Sequence, residues 1–159
     1  NALGVTSGRY ADIIGIGIFS ISTIGDNYAQ NFYDVPSYEN ALDNSKLPIY
    51  RGHRLSQDDL ARRDVIQTLR NYLGLRYYEI EKSHNLNFKE YFKNELTTLS
   101  TFVQDGLIEL SDDGIIITEL GHQFTNIICH VFDTYPNTPH PTSNDNPLPK
   151  ITRHTLKNK

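Results

Sequence analysis

An apolar run at residues 13–18 constrains the fold more than any other stretch of the chain. Its sequence, IIGIGI, has no polar face, which is typical of a strand buried on both faces in a parallel α/β sheet. Gly15 and Gly17 permit close approach of another chain or of a ligand. We therefore expect an interior strand here, in a sheet that continues beyond this chain.

The polar residues that follow predict connections and one short helix. STIGDNYAQN, residues 22–31, has an isolated aromatic residue, Tyr28, and is interpreted as a loop. VPSYENALDN, residues 35–44, predicts a turn that leads into a short helix, and KLPIYRG, residues 46–52, predicts an extended linker. Residues 1–52 thus form the first predicted region.

Residues 53–135 form the second predicted region, and its first half is helical. Ser56 can cap a helix that has two aspartates in its first turn and that Gly74 ends. A shorter helix is expected at 77–83. Asn87 has capping-box spacing to Glu90 and opens a third helix, which ends before a glycine at 106. Its apolar stripe is Phe88, Phe92, Leu96, Leu99 and Val103.

The second half of this region predicts a hairpin and a last helix. GLIEL and GIIIT are short strands separated by a turn that ends at Gly114. Thr118 can cap the final helix. The order helix–helix–helix–hairpin–helix predicts a winged-helix-like domain, so the fold class is α+β and mainly helical. The expected inner face of the last helix is Leu120, Phe124, Ile127, Ile128 and Val131.

Composition limits the function. The 159 residues have a formal charge of −4 and include one cysteine, Cys129, so a disulfide within the chain and a site built from several cysteines are excluded. No secretory signal is visible, and we expect a cytoplasmic protein. The first residues, Asn1 and Ala2, suggest an excised fragment with a cloning scar. The proline-rich residues 136–159 are expected to be a disordered tail.

Three groups of residues invite a functional interpretation. RLSQDDLARRDVIQTL places Asp58 and Asp59 four residues before Arg62 and Arg63, which favours a charged helix face over acid–base chemistry. The six histidines show no metal-ligand spacing, so no metal site is expected. A winged helix can bind DNA, but residues 52–135 hold eight basic and thirteen acidic residues, which favours an interaction or lid module.

Several motifs resemble one enzyme family. IGIGIFSIS, STIGDNYAQN, YRGHRLSQDDLARRDVIQTL, QDGLIELSDDGIIIT and ICHVFDTY occur in this order between residues 4 and 135. Together they resemble the C-terminal part of oxygen-independent coproporphyrinogen III oxidase, a radical S-adenosylmethionine enzyme of haem biosynthesis. Departures such as Phe19, where the family usually has serine, leave a divergent paralogue as the alternative.

The resemblance implies a function for the whole enzyme. Members of the family decarboxylate two propionates of coproporphyrinogen III to give protoporphyrinogen IX. They use a 4Fe–4S cluster that three cysteines of an N-terminal barrel hold, together with S-adenosylmethionine. Those cysteines are absent here, so no catalytic residue and no bound cofactor are expected in this fragment. Residues 1–52 would end the barrel and residues 53–135 would help to cover the active site.

The resemblance also implies specific partners and residues. The segment Phe19-Ser20-Ile21-Ser22 matches a family segment beside a second S-adenosylmethionine, so Ile21 is the cofactor-binding position, with Gly15 and Gly17 giving room. Tyr28 or Gln30 faces the porphyrinogen substrate or packs against the helical domain. The expected partner is the barrel of the same protein, with neither nucleic acid nor membrane. Without the barrel, exposed strand edges could pair two copies into a dimer. The alternative is a non-catalytic winged-helix interaction or DNA-binding module.

Overall fold

The computed structural model describes residues 12–135, which fall into two compact units at residues 12–56 and 57–135. Both contain helix and strand, so the α+β class is confirmed at that level. The suggestions made for Asn1, Ala2 and the tail at 136–159 lie outside the described residues. Within 12–135, none of the helices combines the length and the apolar character that crossing a membrane requires.

The first unit is an antiparallel sheet with one helix. Its strands are β1 (Ile21–Ile24), β2 (Asn27–Asn31) and β3 (Ile49–Arg54), in the order β1-β2-β3. The helix, α1 (Val35–Asp43), confirms the predicted short helix, and the Asp34 carboxylate caps it by accepting from the Ser37 amide at 2.8 Å.

The loop predicted at 22–31 is wrong. These residues form the β1–β2 hairpin around a turn at Gly25 and Asp26, and Gly25 has the positive φ of 56° that such a turn favours. The linker predicted at 46–52 is also wrong in part, because β3 pairs with β2. Both errors have the same cause: pairing with a neighbouring strand satisfies the backbone groups of these segments.

The expected buried strand at residues 13–18 is not present in this structure. Ile13 makes a single bridge to Thr23, and the isoleucines that follow are exposed, Ile16 at 86%. Positive φ angles at Gly17 (97°) and Phe19 (64°) turn the backbone out of an extended course. Among residues 12–56 the sheet is antiparallel, not parallel.

The second unit has the predicted helix–helix–helix–hairpin–helix order, with additions. Its elements are α2 (Gln57–Tyr72), β4 (Gly74–Arg76), α3 (Tyr77–His84), α4 (Phe88–Tyr91), α5 (Lys93–Gln104), β5 (Ile108–Leu110), β6 (Gly114–Ile117), a 3-10 turn (Leu120–Phe124) and α6 (Thr125–His130). The sheet order is β4-β6-β5. Strand β4 was not predicted, and the third helix is divided at Phe92. Helix α2 ends at Tyr72, and the following Leu73 adopts a φ of 55°, one residue before Gly74, which was expected to end the helix.

The core of this unit lies between the helices and the inner face of the sheet. Phe92 packs edge-on against Phe132, and Phe88 stacks on Tyr77 with 4.3 Å between ring centroids. The largest fully buried side chains are Phe88, Phe92, Phe132, Leu69, Ile80, Leu99, Ile108, Ile115, Ile128 and Val65. Burial on this scale stabilises the unit through the hydrophobic effect.

The predicted inner face of the last helix is confirmed at Ile128, which is buried, and at Val131, which is partly buried against the core, but it is wrong at the other three positions. Leu120, Phe124 and Ile127 are exposed, whereas Cys129 and Phe132 are buried. The helix begins with a 3-10 turn, because Thr118 Oγ1 accepts from the Gly121 amide and Gly121 packs directly on the Leu107 backbone. A 3-10 turn rotates successive side chains differently from an α-helix, so the α-helical spacing misplaced three of the five residues.

Candidate functional site

The candidate site lies in the first unit, where side chains hold the backbone of residues 15–17. The Gly15 amide donates to Ser22 Oγ at 3.0 Å, and the Gly17 amide donates to the Tyr38 hydroxyl at 3.1 Å. The Asn31 side-chain amide donates to the carbonyls of Gly15 and Gly17, at 3.1 and 2.9 Å. Asn31 is only 5% exposed. These bonds fix the shape of an otherwise exposed segment.

Both glycines of this segment are required by its own backbone. A Cβ atom at Gly15 would lie 2.8 Å from the Ile21 carbonyl oxygen and 2.8 Å from Ser20 Cβ, so the close approach that Gly15 permits here is to Ser20 and Ile21. Gly17 is required by its φ of 97°. The two glycines therefore place the segment directly beside the start of β1.

Ile21 lies on β1 with a 56% exposed side chain. Its cross-strand neighbour on β2 is Gln30, and the neighbour of Gln30 on β3 is Arg51. Residues that face each other across a ladder project from the same face of the sheet. Arg51 Nε donates to Gln30 Oε1 at 2.7 Å, and Gln30 Nε2 donates to the Phe19 carbonyl at 3.3 Å. An exposed apolar residue thus adjoins a hydrogen-bonded amide–guanidinium pair.

The next row on this face of the sheet contains Thr23, Tyr28 and His53. All three are partly buried. The hairpin therefore brings Tyr28 and Gln30, which were expected to face a substrate or to pack against the helical domain, to the same face as Ile21. Their cross-strand pairing supplies an order that the sequence did not reveal: Gln30 adjoins Ile21, and Tyr28 lies one row away.

The charged segment of α2 is structural. Arg62 Nε donates to Asp58 at 2.8 Å, which confirms the predicted i,i+4 pair. Its Nη1 donates to Glu95 at 2.8 Å and to the Phe132 carbonyl at 3.2 Å, and the guanidinium lies over the Phe92 ring. Burial opposes the charge of Arg62, but the hydrogen bonds to Glu95 and Asp58 outweigh it, and the pKa of Arg62 is raised. Arg62 therefore links α2 to α5 through Glu95, and to the segment after α6 through Phe132.

The other ionisable groups of α2 are also engaged. Asp64 is buried and lies 2.8 Å from His84 Nε2 and 3.3 Å from Arg63 Nε. Asp59 accepts from the Tyr135 hydroxyl at 2.9 Å, and burial together with this bond raises the pKa of Tyr135 to about 12. Within residues 12–135 no group of three or more His, Cys, Asp or Glu side chains is arranged to hold a metal ion. These carboxylates serve packing and docking within the unit.

Cys129 has the character of a core residue. Its side chain is buried, and its thiol lies 3.8 Å from the Ile66 carbonyl oxygen. Burial raises the pKa of the thiol to about 11, so the thiolate that a nucleophile requires is scarce at neutral pH.

The hairpin of the second unit is acidic, as the sequence predicts. Glu109, Asp112 and Asp113 are exposed, and Lys89 donates to Asp112 at 2.8 Å. This bond lowers the pKa of Asp112 and pairs the positive charge of Lys89 with a carboxylate. A surface of this charge repels phosphates.

Comparison with known proteins adds direct evidence of kinship. The family described as HemN C-terminal domain matches residues 55–124. Oxygen-independent coproporphyrinogen III oxidase from Pseudomonas aeruginosa is 40% identical over 135 residues, and the enzyme of the same name from Synechocystis is 41% identical over 139 residues. The chain is a relative of the C-terminal part of oxygen-independent coproporphyrinogen III oxidase. The resemblance seen in the sequence is thereby confirmed.

A solved structure supports the same kinship. Coproporphyrinogen III oxidase (HemN) from Escherichia coli, described as a radical SAM enzyme, matches with a TM-score of 0.76 and 38% identity over 82% of this chain. The matches to the Pseudomonas aeruginosa and Synechocystis enzymes each cover 85% of this chain. They cover only 29% and 30% of those two enzymes. The chain thus spans about a third of the length of the coproporphyrinogen III oxidases that it matches.

Sequence reasoning missed three residues of the candidate site: Asn31, Tyr38 and Arg51. Arg51 lies in the segment interpreted as a linker, and Asn31 ends the segment interpreted as a loop. A signal was available in the Gly-Asp pair at 25–26, which has β-forming Ile and Thr before it and Tyr after it. That pattern indicates a hairpin and would have set Gln30 opposite Ile21.

Proposed function

We propose that the chain is the C-terminal part of an oxygen-independent coproporphyrinogen III oxidase, which decarboxylates coproporphyrinogen III to protoporphyrinogen IX. The observation that carries the proposal is the match to coproporphyrinogen III oxidase from Escherichia coli, which holds in sequence and in backbone over the same 82% of this chain. A fold alone would not imply an activity, but 38% identity adds relatedness to it.

The 4Fe–4S cluster does not fit the residues of this chain. Such a cluster is held by several cysteine thiolates, and the chain has only Cys129, which is buried with a raised pKa. The cluster belongs to the N-terminal barrel, where it supplies radical chemistry through S-adenosylmethionine. No chemical step is therefore assigned to a residue of this chain.

The contribution of the first unit is to dock on that barrel and to line the second S-adenosylmethionine. Ile14, Ile16, Ile18 and Phe19 are exposed in succession, and the bonds from Ser22, Asn31 and Tyr38 hold the segment in one shape. An exposed apolar strip that is fixed in this way suits a protein interface. Ile21, with Gly15 packed against its backbone and Gly17 close to Ser20, would face the ligand at the edge of the strip.

The contribution of the second unit is to cover the substrate. Its helices and its β4-β6-β5 sheet resemble a winged helix, in which the β5–β6 hairpin is the wing. Its closed core makes it a rigid body, and a rigid cover can exclude water from a radical reaction. Residues 1–52 and 53–135 would accordingly belong to the barrel and to the cover. No comparison supports the alternative of a DNA-binding or non-catalytic module.

The proposal is tested with a chimera of this chain and the Escherichia coli enzyme. Residues 12–135 replace the matching part of that enzyme, and protoporphyrinogen IX formation, cluster content and S-adenosylmethionine cleavage are measured together. We expect a normal cluster and measurable decarboxylation. A chimera that folds, holds its cluster and cleaves S-adenosylmethionine but leaves coproporphyrinogen III unchanged would contradict the proposal and favour a paralogue with another substrate.

Paired substitutions in the chimera test the docking strip. Ile16→Lys is expected to release the C-terminal part and to lower decarboxylation strongly. Ile116→Lys is the matched control, because Ile116 is also an exposed isoleucine but lies in the second unit. In the isolated chain, the competing occupant of the strip is a second copy. A dimer that Ile16→Lys dissociates would show that the same surface pairs with itself when the barrel is absent.

A further inference from the structure

Three strands place one cation beside the proposed ligand position. The register sets Ile21 of β1 opposite Gln30 of β2, and Gln30 opposite Arg51 of β3. All three side chains project from the same face of the sheet because directly paired residues do so. The Arg51 guanidinium therefore lies two strands from the exposed Ile21 side chain and on its side of the sheet.

Hydrogen bonds orient this guanidinium. Arg51 Nε donates to Gln30 Oε1 at 2.7 Å, and Gln30 is itself held because its Nε2 donates to the Phe19 carbonyl at 3.3 Å. The bond to Gln30 uses Nε and leaves the two Nη groups of Arg51 for another acceptor. Arg51 is exposed, so a ligand can reach those groups.

Arg51 also differs from Arg54 and Arg62 in its charge balance. Arg54 donates to Asp26 at 2.8 Å, and Arg62 donates to Asp58 and Glu95. Across residues 12–135, Arg51 forms no ion pair with an acidic side chain, and its one side-chain bond is to the neutral Gln30. Among the described residues, its positive charge is thus oriented by Gln30 but not neutralised by a carboxylate.

We propose that Arg51, positioned by Gln30, binds a carboxylate of the ligand that lies against Ile21. The planar guanidinium matches a carboxylate in a bidentate geometry, and the two Nη groups of Arg51 provide that geometry. The apolar Ile21 side chain provides a contact for the uncharged part of the same ligand. The inference rests on the proposed function, from which the carboxylate is that of S-adenosylmethionine or a propionate of the tetrapyrrole.

Binding to the chain itself tests the inference. The probes are S-adenosylmethionine, followed by calorimetry, and coproporphyrin III, followed by its fluorescence. The tetramethyl ester of coproporphyrin III keeps the ring and removes the carboxylates. Arg51→Gln is compared with Arg54→Gln, a matched control on the same strand whose side chain projects from the opposite face and already pairs with Asp26.

We expect Arg51→Gln to weaken the carboxylate ligand about 10-fold to 100-fold, as loss of a charge-assisted hydrogen bond does. Arg54→Gln should change Kd less than about 2-fold, within the range of exposed ion pairs. A loss confined to S-adenosylmethionine identifies its carboxylate, and a loss confined to coproporphyrin III identifies a propionate. Gln30→Leu should cause a smaller loss, because it removes only the orientation of Arg51.

Three results would overturn the inference. The first is equal affinity of the unaltered chain and Arg51→Gln for both probes, and the second is no binding of either probe. The third, where the tetrapyrrole is the ligand, is equal affinity for coproporphyrin III and its tetramethyl ester. The proposed function is judged separately by the chimera. An active chimera whose KM values for both ligands are unchanged by Arg51→Gln removes the site but not the function. An inactive chimera would remove the proposed function. If Arg51-dependent binding to the chain were seen as well, the carboxylate site would stand.

Discussion

Residues 12–56 and residues 57–135 differ in where their apolar side chains lie. In the second unit, sixteen hydrophobic residues form one buried cluster. Among the described residues of the first unit, the buried hydrophobic residues are Ala41 and Leu55, while four isoleucines of residues 13–18 are exposed. The second unit therefore derives its stability from burial, whereas the first depends on strand pairing and on side-chain bonds to backbone such as those of Asn31.

This difference indicates different requirements in a whole enzyme. A unit with a closed core retains its shape without a partner, which a cover needs. A unit with its apolar residues outside gains stability when a partner covers them, at roughly 25 cal/mol per Å² of apolar surface removed from water. The contrast thus agrees with the roles proposed for the two units, docking for the first and covering the substrate for the second.

The largest expected effect is a cavity in the second unit. Ile115→Ala removes a side chain that is 0% exposed, and we expect a loss of about 2–5 kcal/mol in the free energy of unfolding. Ile116→Ala, the adjacent residue on the outer face of β6, is the control and should cost about 0.5 kcal/mol. Urea unfolding monitored by circular dichroism measures both.

The same substitution at Ile16 tests the comparison directly. Because Ile16 is 86% exposed, Ile16→Ala should change the free energy of unfolding by no more than about 0.5 kcal/mol. A loss equal to that of Ile115→Ala would break the comparison, since it would show that the first unit buries its isoleucines in solution.

The second expected effect is loss of the Arg62 network. Arg62→Ala leaves Asp58 and Glu95 without their cation in a place where the Arg62 side chain is 15% exposed, and we expect a loss of about 2–4 kcal/mol. Lys89→Ala removes the exposed pair to Asp112 and should cost at most about 1 kcal/mol. Thermal unfolding at low and high salt distinguishes the effects of Arg62→Ala and Lys89→Ala. Equal losses would mean that Arg62 is solvated like Lys89.

How much the sequence predicted depends on whether a feature is local. The start of α2 followed from Asp58 and Asp59 in a first turn, and the cap of α4 followed from Asn87, whose side chain accepts from the Glu90 amide at 3.0 Å. The β5–β6 hairpin followed from its turn residues. In each case the interacting groups are within a few residues, so the spacing of residue types was sufficient.

Features that depend on distant pairing were not predicted. Strand β4 has three residues and exists because it pairs with β6, about forty residues later. The Arg51–Gln30 bond joins residues 21 apart, and Asn31 reaches back 16 residues to Gly15. The spacing of Asn31, Tyr38 and Arg51 gives no sign of these distant contacts, so the sequence named Ile21, Tyr28 and Gln30 as candidates but missed the other three residues.

The third expected effect concerns the bonds that fix the first unit. Asn31→Asp replaces the donor amide by a carboxylate that faces the Gly15 and Gly17 carbonyls, and we expect a local loss of about 1–3 kcal/mol. Hydrogen exchange at the Gly15 and Gly17 amides should accelerate about 10-fold to 100-fold, while the amides of α2 stay unchanged. Asn44→Asp, at an exposed asparagine, is the control. Faster exchange throughout the chain, including the amides of α2, would show that the two units open together.

The smallest expected effect comes from the one thiol, which reports on the second unit alone because the chain has no other cysteine. The pKa of Cys129 is raised from 9.0 to about 11 by burial, so the folded state keeps the proton that the unfolded state releases. This contribution is fully present below pH 9 and is lost as the pH rises through about 11, with a loss on the order of 1 kcal/mol by pH 10. Cys129→Ala should remove this thiol's contribution to the alkaline slope of unfolding free energy against pH.

Iodoacetamide should label the folded chain far more slowly than the urea-unfolded chain at pH 8.5. Labelling at equal rates would mean that the core around Cys129 opens as readily as the exposed segment of the first unit, and the contrast between the two units would fail.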